Sequence, residues 1–184
     1  MPDSMITKKA LAAAMKKLME KNEFQKISVG DICETCGMSR KGFYYHFRDK
    51  YDLVNWIFYT EFMTLVQEKD YPDNWAFFED VCSYFYENRP FYIKAFQIQG
   101  QNSFTDFFAE TIQPLAFAYL QEELIDSNAR EFYCAFFTDA FRCAIIRWLQ
   151  DNMRTTPREF VNLLKQTILG IARVVSDSKI EKKT

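Results

Sequence analysis

The stretch Ser39-Arg40-Lys41-Gly42-Phe43-Tyr44-Tyr45-His46-Phe47 gathers more hydrogen-bond donors than any structural need explains. If it is helical with Ser39 as its cap, Arg40 and Lys41 fall in the first turn, where the helix dipole disfavours cations by a few tenths of a kcal/mol. A phosphate or a guanine edge reverses that preference. Tyr44, Tyr45, His46 and Lys50 add hydroxyl, imidazole and ammonium donors suited to backbone phosphates, which position a protein without reading sequence. Phe43 and Phe47, at i and i+4, belong to the opposite, core-facing side.

The elements before this stretch position it. Leu11, Met15 and Leu18 mark an amphipathic helix over about 8–22, with Thr7 as its expected cap and Lys8, Lys9, Lys16, Lys17 and Lys21 on its wet side. Ser28 with Asp31 three residues on announces a second helix, a capping box with Asp in place of Glu, burying Val29, Ile32, Cys33 and Cys36. Gly37 ends it by supplying a left-handed residue. Asp49 with Asp52 repeats the capping pattern for a fourth helix. Two helices joined by a short Gly-containing turn make a helix-turn-helix, whose second helix enters the major groove of double-stranded DNA.

Residues 27–53 carry a family likeness: Ile27-Ser28-Val29-Gly30-Asp31-Ile32-Cys33, then Gly37-Met38-Ser39-Arg40, then Phe43-Tyr44-Tyr45-His46-Phe47 and Lys50-Tyr51-Asp52-Leu53. This pattern resembles the DNA-binding signature of the TetR family of transcriptional regulators, over residues 6 to about 56. The resemblance implies that Ser28 and Tyr44 hold phosphates, that Arg40 and Lys41 face bases, and that His46 and Lys50 lie along the DNA backbone. Cys33 and Cys36 stand where the family commonly has Ala, and Gly42 where it often has Thr. Gly within a helix costs about 1 kcal/mol relative to Ala, so the reading helix is expected to be looser. Ile6-Thr7-Lys8-Lys9-Ala10, the run from Lys50 to Phe58, and Tyr71-Pro72 followed by Trp75 are similar to family members that regulate dihydroxyacetone-kinase operons.

Charge agrees with a DNA-contacting head. The net charge of −2 conceals 10 Lys/Arg against 7 Asp/Glu in residues 1–60, net +3, and 13 against 18 in residues 61–184, net −5. Five Gly and five Pro in 184 residues are too few turn-formers for a β-sandwich or barrel. The expected fold is therefore all-α: a helix-turn-helix domain over 1–56 and a helical effector-binding and dimerisation domain over 57–184. Cys33-x-x-Cys36 has no second pair with which to complete a four-ligand zinc site, so no metal and no cofactor is expected. Five scattered cysteines, no signal segment and no membrane-length apolar run point to a cytoplasmic protein with reduced thiols. No phosphate-binding Gly loop or nucleophile with a partner suggests an enzyme.

In the body, one long helix over about 50–68 should link head and body mechanically. Helices follow over about 74–88, 90–98, 104–124, 128–153 and 157–176, the last opened by the capping box Thr156-Pro157-Arg158-Glu159. Pro114 is either merely accommodated or kinks its helix and leaves room for a pocket. The pocket walls would be Phe78, Tyr84, Phe85, Phe96, Phe107, Phe108, Phe117 and Phe137. The helix over 128–153 is apolar nearly all round and needs more cover than this body supplies. Pairing of the last two helices into a homodimer, as the resemblance implies, provides it, with Ile146 and Ile168 in the interface. Asp139, Arg142 and Arg147 interrupt that surface, as an ion pair and a rim position or as effector anchors. The expectation is a regulator, by family habit a repressor, that binds a palindromic operator as a homodimer under control of a small-molecule or protein effector. The alternative is an activator or interaction module whose aromatic body binds a partner protein.

Overall fold

The computed structural model describes residues 2–68, 71, 74–100, 103–119, 130–151 and 154–181. Among them are nine α-helices and no strand: α1 (Pro2–Lys21), α2 (Val29–Cys36), α3 (Arg40–His46), α4 (Lys50–Glu68), α5 (Asn74–Glu87), α6 (Arg89–Ala95), α7 (Phe104–Tyr119), α8 (Arg130–Gln150) and α9 (Pro157–Glu181). A 3-10 turn, Phe24–Lys26, connects α1 to α2. No helix among the described residues is long and apolar enough to cross a membrane.

Local chemistry sets most helix starts. Glu159 returns two bonds to Thr156, accepting from its N–H at 2.7 Å and its hydroxyl at 2.9 Å, while the Glu159 N–H donates to Thr156 Oγ1 at 3.3 Å. Ser103 and Asp106 make a similar arrangement ahead of α7, with the Asp106 N–H donating to Ser103 Oγ at 3.1 Å. Thr7 is not a cap: α1 begins at Pro2, a residue whose fixed φ and missing N–H suit a first turn. At the other end of the chain, α9 continues to Glu181. Residues 120–129, 152 and 153, at the expected ends of the helices over 104–124 and 128–153, lie outside the described residues.

The body is built around Phe58 of α4. Its ring lies 5.1 Å from Phe62, 5.4 Å from Phe104, 5.5 Å from Phe108 and 6.1 Å from Phe85. Phe96 packs on Phe104 at 4.9 Å and Phe108 at 5.3 Å. Edge-to-face and offset contacts of this kind fill space rather than surround it. The pocket expected around Phe85, Phe96 and Phe108 is thus a close-packed aromatic core, with all three side chains buried. Phe107 is half-buried beside Phe58, Phe78 packs on Phe141 at 5.0 Å, and Phe137 is half-buried beside Phe136. The side chain of Phe117 lies outside the description. Pro114 is exposed, and α7 continues past it. An open groove of about 450 Å³ lies elsewhere, between α8 and the start of α9, lined by Ala140, Cys143, Ala144, Arg147, Trp148, Asp151 and Phe160.

Helix α6 touches both halves of the molecule. Arg89 Nε donates to the Leu149 carbonyl near the end of α8 at 3.0 Å. Lys94 Nζ donates to the carbonyls of Glu20 and Asn22, at the end of α1, at 3.1 and 3.2 Å. Each cation satisfies carbonyls that a helix end leaves unpaired. The expected domain border, 56/57, falls inside α4, where both Ile57 and Phe58 are buried.

Candidate nucleic-acid interface

Ser28 opens α2 with a complete capping box. The Asp31 N–H donates to Ser28 Oγ at 3.2 Å, and the Ser28 N–H and hydroxyl donate to Asp31 Oδ2 at 2.8 and 2.7 Å. These two bonds, backbone first and then hydroxyl, hold the Asp31 carboxyl below the usual aspartate range, with Arg40 and Lys50 adding smaller electrostatic contributions. The hydroxyl expected to reach a phosphate is therefore already donating to a carboxylate.

Gly37 ends α2 at φ 69°, a left-handed conformation that costs an L side chain about 1–2 kcal/mol. The Met38 N–H reaches back to Cys33 O at 2.8 Å and the Gly37 N–H to Glu34 O at 3.3 Å, closing the helix end and turning the chain towards α3. Ser39 then caps α3, accepting from the Gly42 N–H at 3.1 Å.

This turn orients α3 with Phe43 and Phe47 buried and Arg40, Lys41, Tyr44 and Tyr45 exposed, Tyr45 at 83% and Tyr44 at 58%. His46 is half-buried, its ring 4.9 Å from that of Tyr45. Five donor residues thus share one short helix, four of them on its open side. Gly30 is the contributor that pattern-reading missed. A Cβ at Gly30 would lie 2.6 Å from Arg40 Nη2, so the bare backbone leaves the guanidinium room to lie across the first turn of α2, near Asp31. The signal was present in Gly30 itself, a glycine within a helix, which commonly marks a close approach.

Lys50 departs from expectation. Its Nζ donates to the carbonyls of Ile27 at 2.7 Å, Phe24 at 2.8 Å and Gln25 at 3.3 Å, and it lies 4.3 Å from the centre of the Phe24 ring. An ammonium has three hydrogens, and all three have acceptors within the protein. Lys50 is a clamp on the 3-10 turn rather than a donor free for phosphate. Burial pulls its pKa below the ordinary lysine value, with Asp31 opposing the shift.

Cys33 is buried, and burial raises its thiol pKa, the opposite of what an activated thiolate needs. Among the described residues no group of His, Cys, Asp or Glu could hold a metal ion. The expected interface residues lie apart in accessibility: Ile168 is 39% exposed on α9, whereas Ile146 is half-buried against the core of its own chain. Asp139 and Arg142 pair at 2.9 Å, and Arg147 lines the open groove.

A model of bacterial regulatory proteins of the tetR family matches residues 10–57, and a model of a transcriptional regulator C-terminal region matches residues 73–170. The chain belongs to the TetR family of transcriptional regulators; it is a regulator and not an enzyme. The dhaKLM operon transcriptional activator DhaS of Lactococcus lactis subsp. lactis is 35% identical over 111 residues, 59% of this chain and 57% of that protein. The chain's match thus spans little more than half the length of that relative. Among solved structures, the dihydroxyacetone kinase operon activator DhaS superposes with a TM-score of 0.71 at 24% identity, covering 92% of this chain and 98% of that one. A TetR transcriptional regulator from Streptococcus agalactiae gives 0.66 at 18% identity, covering 88% and 93%. NalD of Pseudomonas aeruginosa, the secondary repressor of the MexAB-OprM multidrug efflux pump, gives 0.60 at 15%, covering 92% and 96%. At these identities the structural likeness speaks for the fold alone: all-α, with an N-terminal helix-turn-helix and a helical C-terminal domain.

Proposed function

We propose that the chain binds a two-fold symmetric DNA operator as a homodimer, each subunit placing α3 in a major groove, and that a partner protein acting on the exposed body controls it. The observation that carries this reading is the sorting of α3, with Arg40, Lys41, Tyr44 and Tyr45 outward and Phe43 and Phe47 inward. Arg40 and Lys41 are the base-reading residues. Tyr44, Tyr45 and His46 serve phosphates, together with the backbone N–H groups at the start of α2. Dimerisation is supported by exposed apolar residues concentrated on α8 and α9: Phe132, Phe136, Leu163, Ile168 and Leu169. A second copy offers these side chains the cover that one body lacks.

Control by a partner protein rather than an enclosed small molecule is supported by the filled aromatic core. Enclosed ligands need concave sites of about 300–1,000 Å³ that take most of the ligand out of water, and the reading is supported by the rings of Phe58, Phe85, Phe96 and Phe108 packing directly on one another. Activation is favoured over the repression expected from family habit, because the 35%-identical relative is named an activator. The test is a gel shift of the DNA upstream of the chain's own gene with wild type and Arg40→Ala, paired with a reporter on the same fragment. Binding lost in the variant together with reporter output that falls when the gene is deleted is the expected result. Equal binding by both proteins would refute the assignment of α3.

A further inference from the structure

We propose that Glu61 is a positioning residue for DNA recognition: held by Lys16 of the head and by Tyr84 of the body, it fixes the angle of each reading head and so the half-site spacing the dimer accepts. The inference rests on the paired-head reading above. Lys16 Nζ of α1 lies 2.6 and 2.8 Å from the two carboxylate oxygens of Glu61 on α4, and 3.2 Å from Asn88 Oδ1. From the other side the Tyr84 hydroxyl of α5 donates to Glu61 Oε2 at 2.5 Å and is hydrogen-bonded in turn to the Tyr92 hydroxyl of α6. One carboxylate thus joins three helices, α1, α4 and α5, at the border of head and body, and reaches α6 through Tyr84.

The choice of polar groups matters for geometry. Apolar surfaces tolerate sliding, whereas a carboxylate with several directed donors in a partly desolvated place has one good arrangement and many poor ones. Tyr92 is fully buried and Phe91, beside it, lies 5.6 Å from the Lys16 ammonium, so the pair is shielded on its inner side, while about a quarter of the Lys16 side chain and a third of the Glu61 side chain stay open to water. Burial holds both phenols above the ordinary tyrosine range, with Glu61 adding to the shift, so they remain protonated donors. A tilt that draws Lys16 away takes the charged partner from the carboxylate and leaves it the Tyr84 hydroxyl and solvent. Lys94, bonded to Glu20 O and Asn22 O, ties the same helix more than a turn further along, and two ties at separate points fix a direction as well as a distance.

Operator spacing is where such a constraint is read. One base pair advances a half-site by about 3.4 Å and rotates it by about 35°, so a head held at one angle accepts one spacing and a loosened head accepts several. The experiment uses full-length protein and palindromes selected from random DNA by the wild type, remade with the spacer altered by one or two base pairs in either direction. Wild type is expected to lose about tenfold in affinity per base pair of altered spacing, and Glu61→Gln, Lys16→Met and Tyr92→Phe only about twofold. Removing Lys16 weakens all DNA binding by removing charge, but the ratio between spacers cancels that effect, and Tyr92→Phe changes no charge. Should Glu61→Gln fail to fold, as judged by circular dichroism, the other two variants carry the test. Variants that lower the melting temperature yet discriminate spacers as sharply as wild type overturn the proposal and leave Glu61 a purely structural residue. If wild type itself shows no spacer dependence, the paired-head reading falls and the proposal with it.

Discussion

The ammonium of Lys50 lies 2.7 Å from the carbonyl oxygen of Ile27, joining the first residue of α4 to the chain that enters α2. Through this bond and its companions at Phe24 and Gln25, the helix running into the body holds the segment that precedes the helix-turn-helix. Lys50→Met is expected to destabilise the protein by about 1.5–3 kcal/mol, the range for charge-assisted hydrogen bonds, with a lower urea midpoint. The slope of log affinity against log salt should stay at the wild-type value. A slope reduced by about one would return Lys50 to the phosphate contacts.

Arg40→Ala should relax base preference at one position in each half-site and cost about 1–3 kcal/mol of binding if the guanidinium makes a bidentate guanine contact. Selection from randomised operators, with wild type and variant side by side, reads this directly.

Two glycines on either side of Ser39 are expected to respond oppositely to the same change. A Cβ at Gly42 meets only Ser39 Oγ, at 3.4 Å, an ordinary contact. Gly42→Ala should therefore stabilise α3 by up to about 1 kcal/mol. At Gly37, with φ at 69°, the same substitution should cost about 1–2 kcal/mol despite the open space around it. Thermal unfolding of both variants checks the contrast.

The interface assignment is tested on exposed positions. Phe136→Asp and Leu169→Asp alter side chains 56% and 57% exposed in one chain, so each should leave the fold intact by circular dichroism and yield monomers in sedimentation. Ile146→Asp, half-buried against the core of its own chain, should instead lower stability by several kcal/mol, on the order of the cost of a buried unpaired charge.

Acid should loosen the helix starts first. Hydrogen bonds from Ser28 and Thr156 hold the carboxyls of Asp31 and Glu159 below their ordinary ranges. A depressed folded pKa contributes stability that is complete above the unfolded values, about 3.9 for Asp and 4.3 for Glu, and is lost as pH falls through the folded ones. Asp31→Asn with Glu159→Gln should flatten the fall in urea midpoint between pH 6 and pH 3, while an unchanged acid limb would show that these boxes contribute nothing to it.

What could be read from the sequence follows from how far each interaction reaches along the chain. Ser28 with Asp31 and Thr156 with Glu159 are bonded across three residues, and Gly37 acts on its own backbone, so type and spacing were sufficient. Lys50 misled because its cation stands next to the reading helix in sequence while its acceptors lie 23 to 26 residues upstream. Glu61 and Lys16 are 45 residues apart, and no local pattern distinguishes either from a solvated surface charge. The aromatic body is a different case. Periodicity places rings on one side of a helix, but whether facing rings meet or stand apart depends on helix separation, which composition does not encode. Phe85 and Phe108 meet, at 5.7 Å.

The seven residues of α6, fastened to α1 by Lys94 and to α8 by Arg89, limit how this protein can be recombined with its relatives. A head exchanged by cutting at 56 severs α4 in its buried middle and strands Lys16, Lys94 and Glu61 without the partners they were built against. If α3 reads the operator as proposed, specificity is therefore easier to transplant as its few outward side chains than as a whole module. Any larger graft has to carry α4 as far as Phe62 and bring α6 with it, so that the smallest exchangeable unit is discontinuous in the chain.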